Sequence, residues 1–347
     1  MQARTTNLFG LGPADIAALP EFEGQPRFRS QQLARWMYDR LTTSFESMTD
    51  LSRQLRSMLE ARYRVERLAA TKATVAADDG ATKFLFPLEG SLAVEAVWIR
   101  DGRRDTFCVS SQAGCAYACS FCATASMKAG RNLTTGEILS QVAWLREALA
   151  ERGPIPVHNI VFMGMGEPLA NYDAVAGAIR ILTGSPGYGV AARRITVSTV
   201  GLEPEIRRLA EEPGGVRLAF SLNATTDEVR SEIMPVNRKY PFRKVFDALR
   251  LYQDRKGMPV TLEYVLLRGV NDSADDARRL AGFARSLQCK VNLIGFNPHP
   301  FSSHQPVGRE RTELFRSWML PIASTVTVRW SKGREIEAAC GQLASSR

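Results

Sequence analysis

The sequence has few cysteines, no long apolar run and no internal repeat. Six cysteines in 347 residues are too sparse for the disulfide framework of a small secreted domain. No stretch reaches the roughly 18 apolar residues of a membrane span, and the N-terminus lacks an apolar segment followed by a small-residue cleavage site. These features predict a cytoplasmic protein that works in a reducing compartment and has no membrane partner.

The composition is that of a globular protein with an excess of positive charge. Hydrophobic residues make up 45% of the chain and charged residues 23%, which excludes disordered, collagen-like and coiled-coil proteins. Lys and Arg exceed Asp and Glu by 45 − 36 = 9. Such an excess favours a polyanionic partner, although many basic proteins have none. At about 100 to 200 residues per domain, the length predicts one large domain or two unequal ones.

The spacing of apolar residues changes along the chain and predicts four parts. These are an N-terminal helical accessory module (1–69), a strand-rich bridge (70–106), a region of alternating strands and helices (107–322) and a final strand with a tail (323–347). In the first part, apolar residues recur at helical spacing in RFRSQQLARWMYDRL and in LSRQLRSMLEARY. Ser30 and Asp50 are of the residue types that cap helix N-termini there.

The alternating region predicts the fold class. Six strand candidates, from FCVSS at 107–111 to KVNLIGF at 290–296, are separated by helical stretches, and TVTVRW at 325–330 is a seventh short strand. This order implies parallel pairing with right-handed crossovers. The length suits an incomplete barrel better than a complete eight-unit barrel. We therefore predict an α/β protein, an incomplete (βα)6 barrel with a small N-terminal helical accessory domain.

Three cysteines, Cys115, Cys119 and Cys122, form a C-x-x-x-C-x-x-C pattern. Cysteines that merely pack in a core follow no such spacing. A structural zinc takes four ligands, but the nearest histidine, His158, lies well along the chain. Soft thiolates also bind iron–sulfur clusters, and three of them leave one iron with an open position. The pattern favours a cluster, and a non-catalytic RNA-binding protein with a structural zinc is the alternative from a different class.

The segment GCAYACSFCAT, with Phe121 before its last cysteine, resembles the signature of the radical S-adenosylmethionine (SAM) superfamily. In that superfamily the open iron of a [4Fe-4S] cluster binds SAM, and one electron cleaves it to a 5′-deoxyadenosyl radical. The resemblance implies that the cluster ligands are Cys115, Cys119 and Cys122. The segment GMGEPL at 164–169 is similar to the stretch that holds the amino group of SAM, which implies contacts from Gly166 and Glu167.

Further segments are similar to those of a narrower family. RNLTTGEI, RRITVSTVGL, EIMPVNRKYP, TLEYVLLRGVND and AACGQLA resemble, in the same order, the dual-specificity adenine-C2 methyltransferases of ribosomal and transfer RNA. The adenine-C8 methyltransferases of antibiotic resistance are close relatives and remain the alternative. The resemblance implies a radical SAM barrel, 23S rRNA and also tRNA as substrates, two SAM molecules per turnover, an electron donor such as flavodoxin, and a disulfide reductant. No segment indicates a dimer interface, so we expect a monomer.

The same resemblance implies catalytic roles for three residues. Carbon 2 of adenine is not a nucleophile and cannot displace a methyl group from SAM. In the family a cysteine matched by Cys340 accepts the methyl group first, and the S-methylcysteine is then converted to a carbon radical that adds to the base. Glu95 matches the proton acceptor that takes the hydrogen from the base. Cys108 matches the thiol that attacks the sulfur of Cys340, forms a transient disulfide and releases the product.

Other contacts are implied by matching positions. The resemblance assigns cofactor contacts to Ser198, Ser221, Leu222, Asn223 and Asn297, where Asn223 replaces the usual His. Cys289 matches no catalytic role and is expected to pack in the core. Candidate phosphate contacts are Arg193, Arg194, Arg238, Lys239, Arg329, Lys332 and Arg334. Candidate stacking aromatics are Tyr117, Phe121 and Trp330. The Arg-rich N-terminal module is a candidate RNA-docking element.

Overall fold

The computed structural model describes residues 6–77, 80–101, 104–127, 130–150, 159–320, 322–323 and 325–344. In this part of the chain, a ten-stranded, mostly parallel sheet is flanked by helices. A helical module precedes the sheet. His158 lies outside the described residues.

The N-terminal module is small and rests against the barrel. It consists of β1 (Thr6–Asn7), α1 (Pro13–Ala17), a 3-10 turn (Pro20–Phe22), α2 (Phe28–Tyr38), α3 (Arg53–Arg62) and β2 (Tyr63–Arg64). Leu33 and Leu59 are fully buried, as the helical spacing predicts. A side chain added at Gly136 in the barrel would lie 2.2 Å from the Phe9 carbonyl oxygen. The backbones of module and barrel therefore meet without intervening side chains.

The two predicted helix caps are wrong. Ser30 lies inside the first turn of α2, where its hydroxyl donates to the Arg27 carbonyl at 2.9 Å. The N-cap of α3 is Ser52, whose hydroxyl accepts from the Leu55 amide at 3.2 Å. Asp50 instead accepts a hydrogen bond from the Trp36 indole. Several neighbouring residues are of capping type, and the tertiary contact with Trp36 decides which of them caps the helix.

The main sheet confirms the α/β fold class. Its strands are β3 (Lys72–Val75), β4 (Ala81–Pro87), β5 (Ala93–Asp101), β6 (Arg104–Cys108), β7 (Asn159–Phe162), β8 (Ile195–Thr199), β9 (Arg217–Ser221), β10 (Thr261–Leu266), β11 (Lys290–Gly295) and β12 (Val326–Arg329). They lie in chain order across the sheet. Strands β6 to β12 are parallel. Strands β5, β4 and β3 extend the sheet beyond β6, and each is antiparallel to the strand before it in the sheet. Each predicted barrel strand thus has a counterpart.

Helices alternate with the parallel strands along the chain. They are α4 (Ala123–Ser126), α5 (Thr135–Ala150), α6 (Tyr172–Thr183), α7 (Glu203–Glu211), α8 (Asp227–Ile233), α9 (Phe242–Lys256), α10 (Ala274–Leu287) and α11 (Arg309–Met319). α10 begins at a capping box formed by Ser273 and Asp276, and α9 ends at Gly257, whose φ of 63° suits glycine. Within the described ranges, no helix is both long and apolar enough to cross a membrane.

Candidate active site

A cleft opens at the carboxyl-terminal edge of the parallel strands, where barrel folds of this type place their active sites. It contains about 1090 Å³ of space that protein atoms do not fill, part of it open to solvent. Ten of the thirteen predicted site residues line it: Cys115, Cys119, Cys122, Gly166, Glu167, Ser198, Ser221, Asn223, Asn297 and Cys340. Glu95, Cys108 and Leu222 do not belong to the described lining.

The three-cysteine loop joins β6 to α4 and is fixed by backbone hydrogen bonds. The Ser120 amide donates to the Ile233 carbonyl at 3.0 Å, at the end of α8. The Ala123 amide donates to the Gly341 carbonyl at 2.7 Å, in the C-terminal segment. The loop is therefore held between a barrel helix and the segment that carries Cys340.

The three thiols influence one another and suit a cationic iron cluster. Burial, followed by the charges of Cys122 and Cys115, raises the pKa of Cys119 well above its usual range. Burial likewise raises the pKa of Cys115 to about 11. Thiolates placed so close together are stabilised by a soft cation such as iron. In the described ranges no three metal-ligating side chains lie close enough to hold a single ion, whereas a cluster takes each thiolate on a different iron.

Two histidines that the sequence did not point to also fix the cysteine loop. The Nε2 atom of His304 lies 2.8 Å from the Ser120 hydroxyl, and Nε2 of His299 lies 3.1 Å from the Phe121 carbonyl oxygen. Both histidines follow β11, about 180 residues after the loop. No local pattern near the cysteines could have identified them.

The GMGEP segment places a carboxylate in the cleft. Gly166 has φ of 94°, and a Cβ there would lie 2.5 Å from the Gln112 Cβ atom, so only glycine fits. The Glu167 carboxylate accepts from the backbone amides of Leu169 at 3.1 Å and Val200 at 2.9 Å. Burial raises the pKa of Glu167 to about 7, although these amides oppose the rise. Glu167 thus links the loops after β7 and β8 and remains an acceptor inside the cleft.

Ser198 and Ser221 lie side by side at the ends of β8 and β9. Their hydroxyl oxygens are 3.4 Å apart, and both line the cleft. Leu222 is fully buried, and its backbone amide donates to the Glu263 carbonyl at 3.1 Å. The structure therefore brings the two serines to the site and places the Leu222 side chain in the core, which leaves its predicted cofactor contact to the backbone.

Asn223, which replaces the usual His, joins neighbouring strands. Its Oδ1 atom accepts from the Val265 amide at 2.9 Å, and its Nδ2 atom lies 3.3 Å from the Met234 sulfur. Its φ of 57° is a conformation that asparagine tolerates better than most residues. The Asn223 side-chain amide thus contacts Val265 and Met234, and it also lines the cleft.

Arg230 is a buried cation behind the site that sequence reasoning missed. Its guanidinium is fully buried and donates to the carbonyls of Val200 at 2.7 Å, Ser221 at 3.0 Å and Leu222 at 2.9 Å. Burial lowers the pKa of Arg230 to about 10, and the negative charge of Cys119 opposes this. The side chain ties the ends of β8 and β9 together. In the sequence, Arg230 looks like any other arginine of an amphipathic helix.

Cys340 lies in a C-terminal segment that folds over the cleft. Asn297 donates from Nδ2 to the Cys340 carbonyl at 3.0 Å and to the Ser331 hydroxyl at 2.9 Å. The Thr124 hydroxyl donates to the Leu343 carbonyl at 2.6 Å. Cys340 itself is solvent-exposed and lines the cleft. Desolvation by the cleft walls and then the charge of Glu263 raise its pKa, and Arg329 opposes them.

Cys108 and Glu95 lie on one face of the sheet beside the cleft. Cys108 pairs with Val97 across β5 and β6, and Glu95 is two residues from Val97. Cys108 is buried, and burial followed by a negative charge on Cys340 raises its pKa. The two thiols are therefore within electrostatic range, and both are free. The Glu95 side chain is buried and lies 3.1 Å from the Lys83 ammonium.

Glu263 is a second buried carboxylate that the sequence did not reveal. It lies on β10, lines the cleft and accepts from Asn292 Nδ2 at 2.8 Å. Burial raises its pKa, while the positive charge of Arg329 and this hydrogen bond lower it. The sequence places Glu263 in a strand, TLEYVLL, but does not say that its side chain faces the cleft.

The predicted RNA contacts lie mostly on the surface. Six of the seven basic candidates are exposed, namely Arg193, Arg194, Arg238, Lys239, Arg329 and Arg334. Lys332 is half-buried and donates to the Arg100 carbonyl. Trp330 is 41% exposed, with the Arg309 guanidinium 4.7 Å from its ring centre. Phe121 is buried and lines the cleft, and Tyr117 is half-buried.

Two family models match the chain. Residues 109–281 match the family described as the radical SAM superfamily. Residues 6–65 match the family described as the ribosomal RNA large subunit methyltransferase N-terminal domain.

Curated relatives and a solved structure match nearly the whole chain. A "dual-specificity RNA methyltransferase RlmN" of Geobacter sulfurreducens is 46% identical, over 92% of this chain and 87% of that protein. A "probable dual-specificity RNA methyltransferase RlmN" of Thermotoga neapolitana is 40% identical over 98% of both. The crystal structure of a radical SAM methyltransferase from Sphaerobacter thermophilus is 42% identical, with a TM-score of 0.91 over 98% of this chain and 100% of that one.

Proposed function

Because the chain belongs to the RlmN family of dual-specificity RNA methyltransferases, we propose that it methylates carbon 2 of an adenosine in 23S rRNA and in tRNA. The family belongs to the radical SAM enzymes, which use a [4Fe-4S] cluster and SAM. The observation that carries the proposal is the position of Cys340, which is exposed in the cleft lined by the three clustered cysteines. A thiol placed there can receive a methyl group before the RNA does.

Side chains of the cleft would hold the cofactors. Cys115, Cys119 and Cys122 would hold the cluster. Glu167 would accept from the SAM amino group, and the hydroxyls of Ser198 and Ser221, 3.4 Å apart, would contact other polar groups of SAM. When bound, the cluster and SAM supply a methyl group and a carbon-centred radical.

The first stage places the methyl group on Cys340. Its thiolate attacks the methyl carbon, so a sulfur–carbon bond forms while the bond to the SAM sulfur breaks and leaves its electron pair there. Asn297 fixes the backbone of Cys340 at 3.0 Å, which holds the thiol in the cleft. Burial raises the pKa of Cys340, and the positive charge of Arg329 opposes that rise and so favours the thiolate.

The second stage joins the carbon to the base and then releases it. The carbon-centred radical would take a hydrogen atom from the S-methyl group, and the resulting carbon radical adds to C2. Glu95 then takes the hydrogen of C2 as a proton, and the unpaired electron left on the base would pass to the oxidised cluster. Cys108 then attacks the sulfur of Cys340, so a disulfide forms, the sulfur–carbon bond breaks, and the released carbon takes a proton. A cytoplasmic dithiol reductant reopens the disulfide, and flavodoxin or a similar protein supplies electrons to the monomeric enzyme.

Mass spectrometry of RNA nucleosides tests the proposed position of methylation. The anaerobically purified, iron-loaded protein is incubated with SAM, a reductant and 23S rRNA or tRNA. We expect 2-methyladenosine from the wild type and none from Cys340→Ala. The appearance of 8-methyladenosine alone would favour the resistance-type alternative. A colourless, zinc-containing protein that methylates neither RNA would favour the binding-protein alternative.

A further inference from the structure

Lys83, on β4, contacts both Glu95 on β5 and the C-terminal segment that carries Cys340. Its ammonium lies 3.1 Å from Glu95 Oε1 and 3.3 Å from the Glu337 carbonyl oxygen, three residues before Cys340. The Lys83 side chain is 11% exposed and that of Glu95 is 2% exposed. A buried carboxylate is thus paired with a nearly buried cation beside the methyl-accepting segment.

Strand register explains why this pair forms. Lys83 lies opposite Val97 across β4 and β5, and Val97 lies opposite Cys108 across β5 and β6. Residues directly opposite one another in antiparallel strands share a face, as do residues two apart in one strand. Lys83, Glu95 and Cys108 therefore face the same side of the sheet. Lys83 reaches Glu95 diagonally across the strand pair.

The two oxygens of Glu95 have different surroundings. Oε1 is held by Lys83, whereas Oε2 is buried and has no donor within hydrogen-bond distance among the described residues. The Ala344 amide is near the carboxylate but lies outside that distance. A buried carboxylate without a partner is costly, and the cost is larger when it is ionised. The cation beside Oε1 favours the ionised form of Glu95, and Oε2 has no partner and can accept a proton. This arrangement suits a base.

We propose that Lys83 is the positioning residue for Glu95, holding it ionised, oriented and close to the segment that carries Cys340. This inference rests on the proposed role of Glu95 as proton acceptor. Lys83 does not touch the base. It acts by fixing Oε1, which leaves Oε2 to take the proton.

The charged groups around Glu95 agree with this role. Burial raises the pKa of Glu95, the ammonium and hydrogen bond of Lys83 lower it, the Ala344 amide also lowers it, and the charge of Glu337 raises it. Lys83 is the cation among these groups. Removing Lys83 raises the pKa of Glu95 further. Glu95 in the variant therefore becomes protonated at a higher pH than Glu95 in the wild type.

The test separates the two stages of the reaction in the full-length, iron-loaded enzyme. Wild type, Lys83→Met, Lys83→Arg and Lys72→Met are compared, since Lys72 is an exposed lysine on the neighbouring strand β3. Cys340 methylation is followed by peptide mass analysis. Release of methylated RNA from pre-methylated enzyme is followed between about pH 6 and pH 10, a range around the neutral and alkaline side-chain pKa values.

We expect Lys83→Met to methylate Cys340 normally and to release product about tenfold more slowly at neutral pH, as a rise of one pKa unit would produce. Its rate should recover as the pH rises, and Lys83→Arg and Lys72→Met should follow the wild type. A Lys83→Met profile that superimposes on the wild type would overturn the inference. So would an equal loss of Cys340 methylation, which would show that Lys83 only anchors the segment. If the wild type forms no S-methylcysteine at all, the proposed function fails instead.

Discussion

The Asn297 side chain holds the backbone of Cys340 through a 3.0 Å hydrogen bond from Nδ2 to the carbonyl oxygen. The same nitrogen also donates to the Ser331 hydroxyl at 2.9 Å. One amide after β11 therefore joins the start and the end of the segment that follows β12. This link is one of the contacts that position the proposed methyl-accepting thiol.

Asn297→Ala should slow methylation of Cys340 by about tenfold, because each lost hydrogen bond contributes about 1 kcal/mol to the position of the segment. Quantitative peptide mass analysis after a short incubation with SAM measures the rate. Ser331→Ala is the control, since it removes only the second acceptor and should slow the reaction less. Equal rates for Asn297→Ala and the wild type would mean that the segment is held by its other contacts.

Arg230→Met should lower the free energy of unfolding by at least about 3 kcal/mol, because the carbonyls of Val200, Ser221 and Leu222 lose a buried donor. Anaerobic urea titration measures this. Arg207→Met is the matched control, since Arg207 is 46% exposed and pairs with Glu203 on a helix surface. We expect it to cost less than about 0.5 kcal/mol. A similar small loss for Arg230→Met would show that its hydrogen bonds are replaced by water.

The free energy of unfolding of the cluster-free protein should vary with pH because of Glu167. This variation is expected in the pH range between the ordinary pKa of Glu167 and its raised pKa. The pKa of Glu167 is raised from 4.5 to about 7, so between these values the folded state binds more protons than the unfolded state. Stability therefore falls as the pH rises through this window and levels off above it. Glu167→Gln should remove part of this slope, on the order of 1.4 kcal/mol per pKa unit. Parallel stability curves for variant and wild type would contradict this.

The double variant Arg193→Gln and Arg194→Gln should bind RNA more weakly, by a similar factor for every RNA sequence. Both residues are exposed. For each phosphate contact that is lost, the slope of the logarithm of the binding constant against the logarithm of the salt concentration should become less steep by about 0.7 to 0.9. Binding of a radiolabelled RNA fragment at several salt concentrations measures the slope. Arg278→Gln, on the outer surface of α10 beside Asp275, should leave the slope unchanged. An unchanged slope in the double variant would place the RNA elsewhere.

Local sequence patterns predicted the fold class and the three-cysteine motif. Resemblance to a known family, rather than spacing, assigned the GMGEP segment and the strand-end serines to the site. All of these residues line one cleft. The order of strands and helices fixed the parallel sheet in the same way, because chain-adjacent strands are also neighbours in space. These features depend on residues close together in the chain.

The remaining parts of the site depend on contacts between distant residues. His304 reaches Ser120 across 184 positions, and Lys83 reaches Glu337 across 254. Arg230 and Glu263 look like ordinary charged residues of a helix and a strand, and only the packed structure turns them inward. Side-chain direction at such positions is set by tertiary packing, so no spacing rule could have predicted their roles.

The origin of the methyl carbon in the product shows whether Cys340 carries the methyl group to RNA. Cys340 is first loaded with a trideuterated methyl group from labelled SAM, and the enzyme is then given unlabelled SAM, reductant and RNA for a single turnover. We expect the 2-methyladenosine formed to carry deuterium from Cys340. A product that contains only unlabelled methyl groups would show that the methyl group passes to RNA without binding to Cys340, and the proposed role of this cysteine would be wrong.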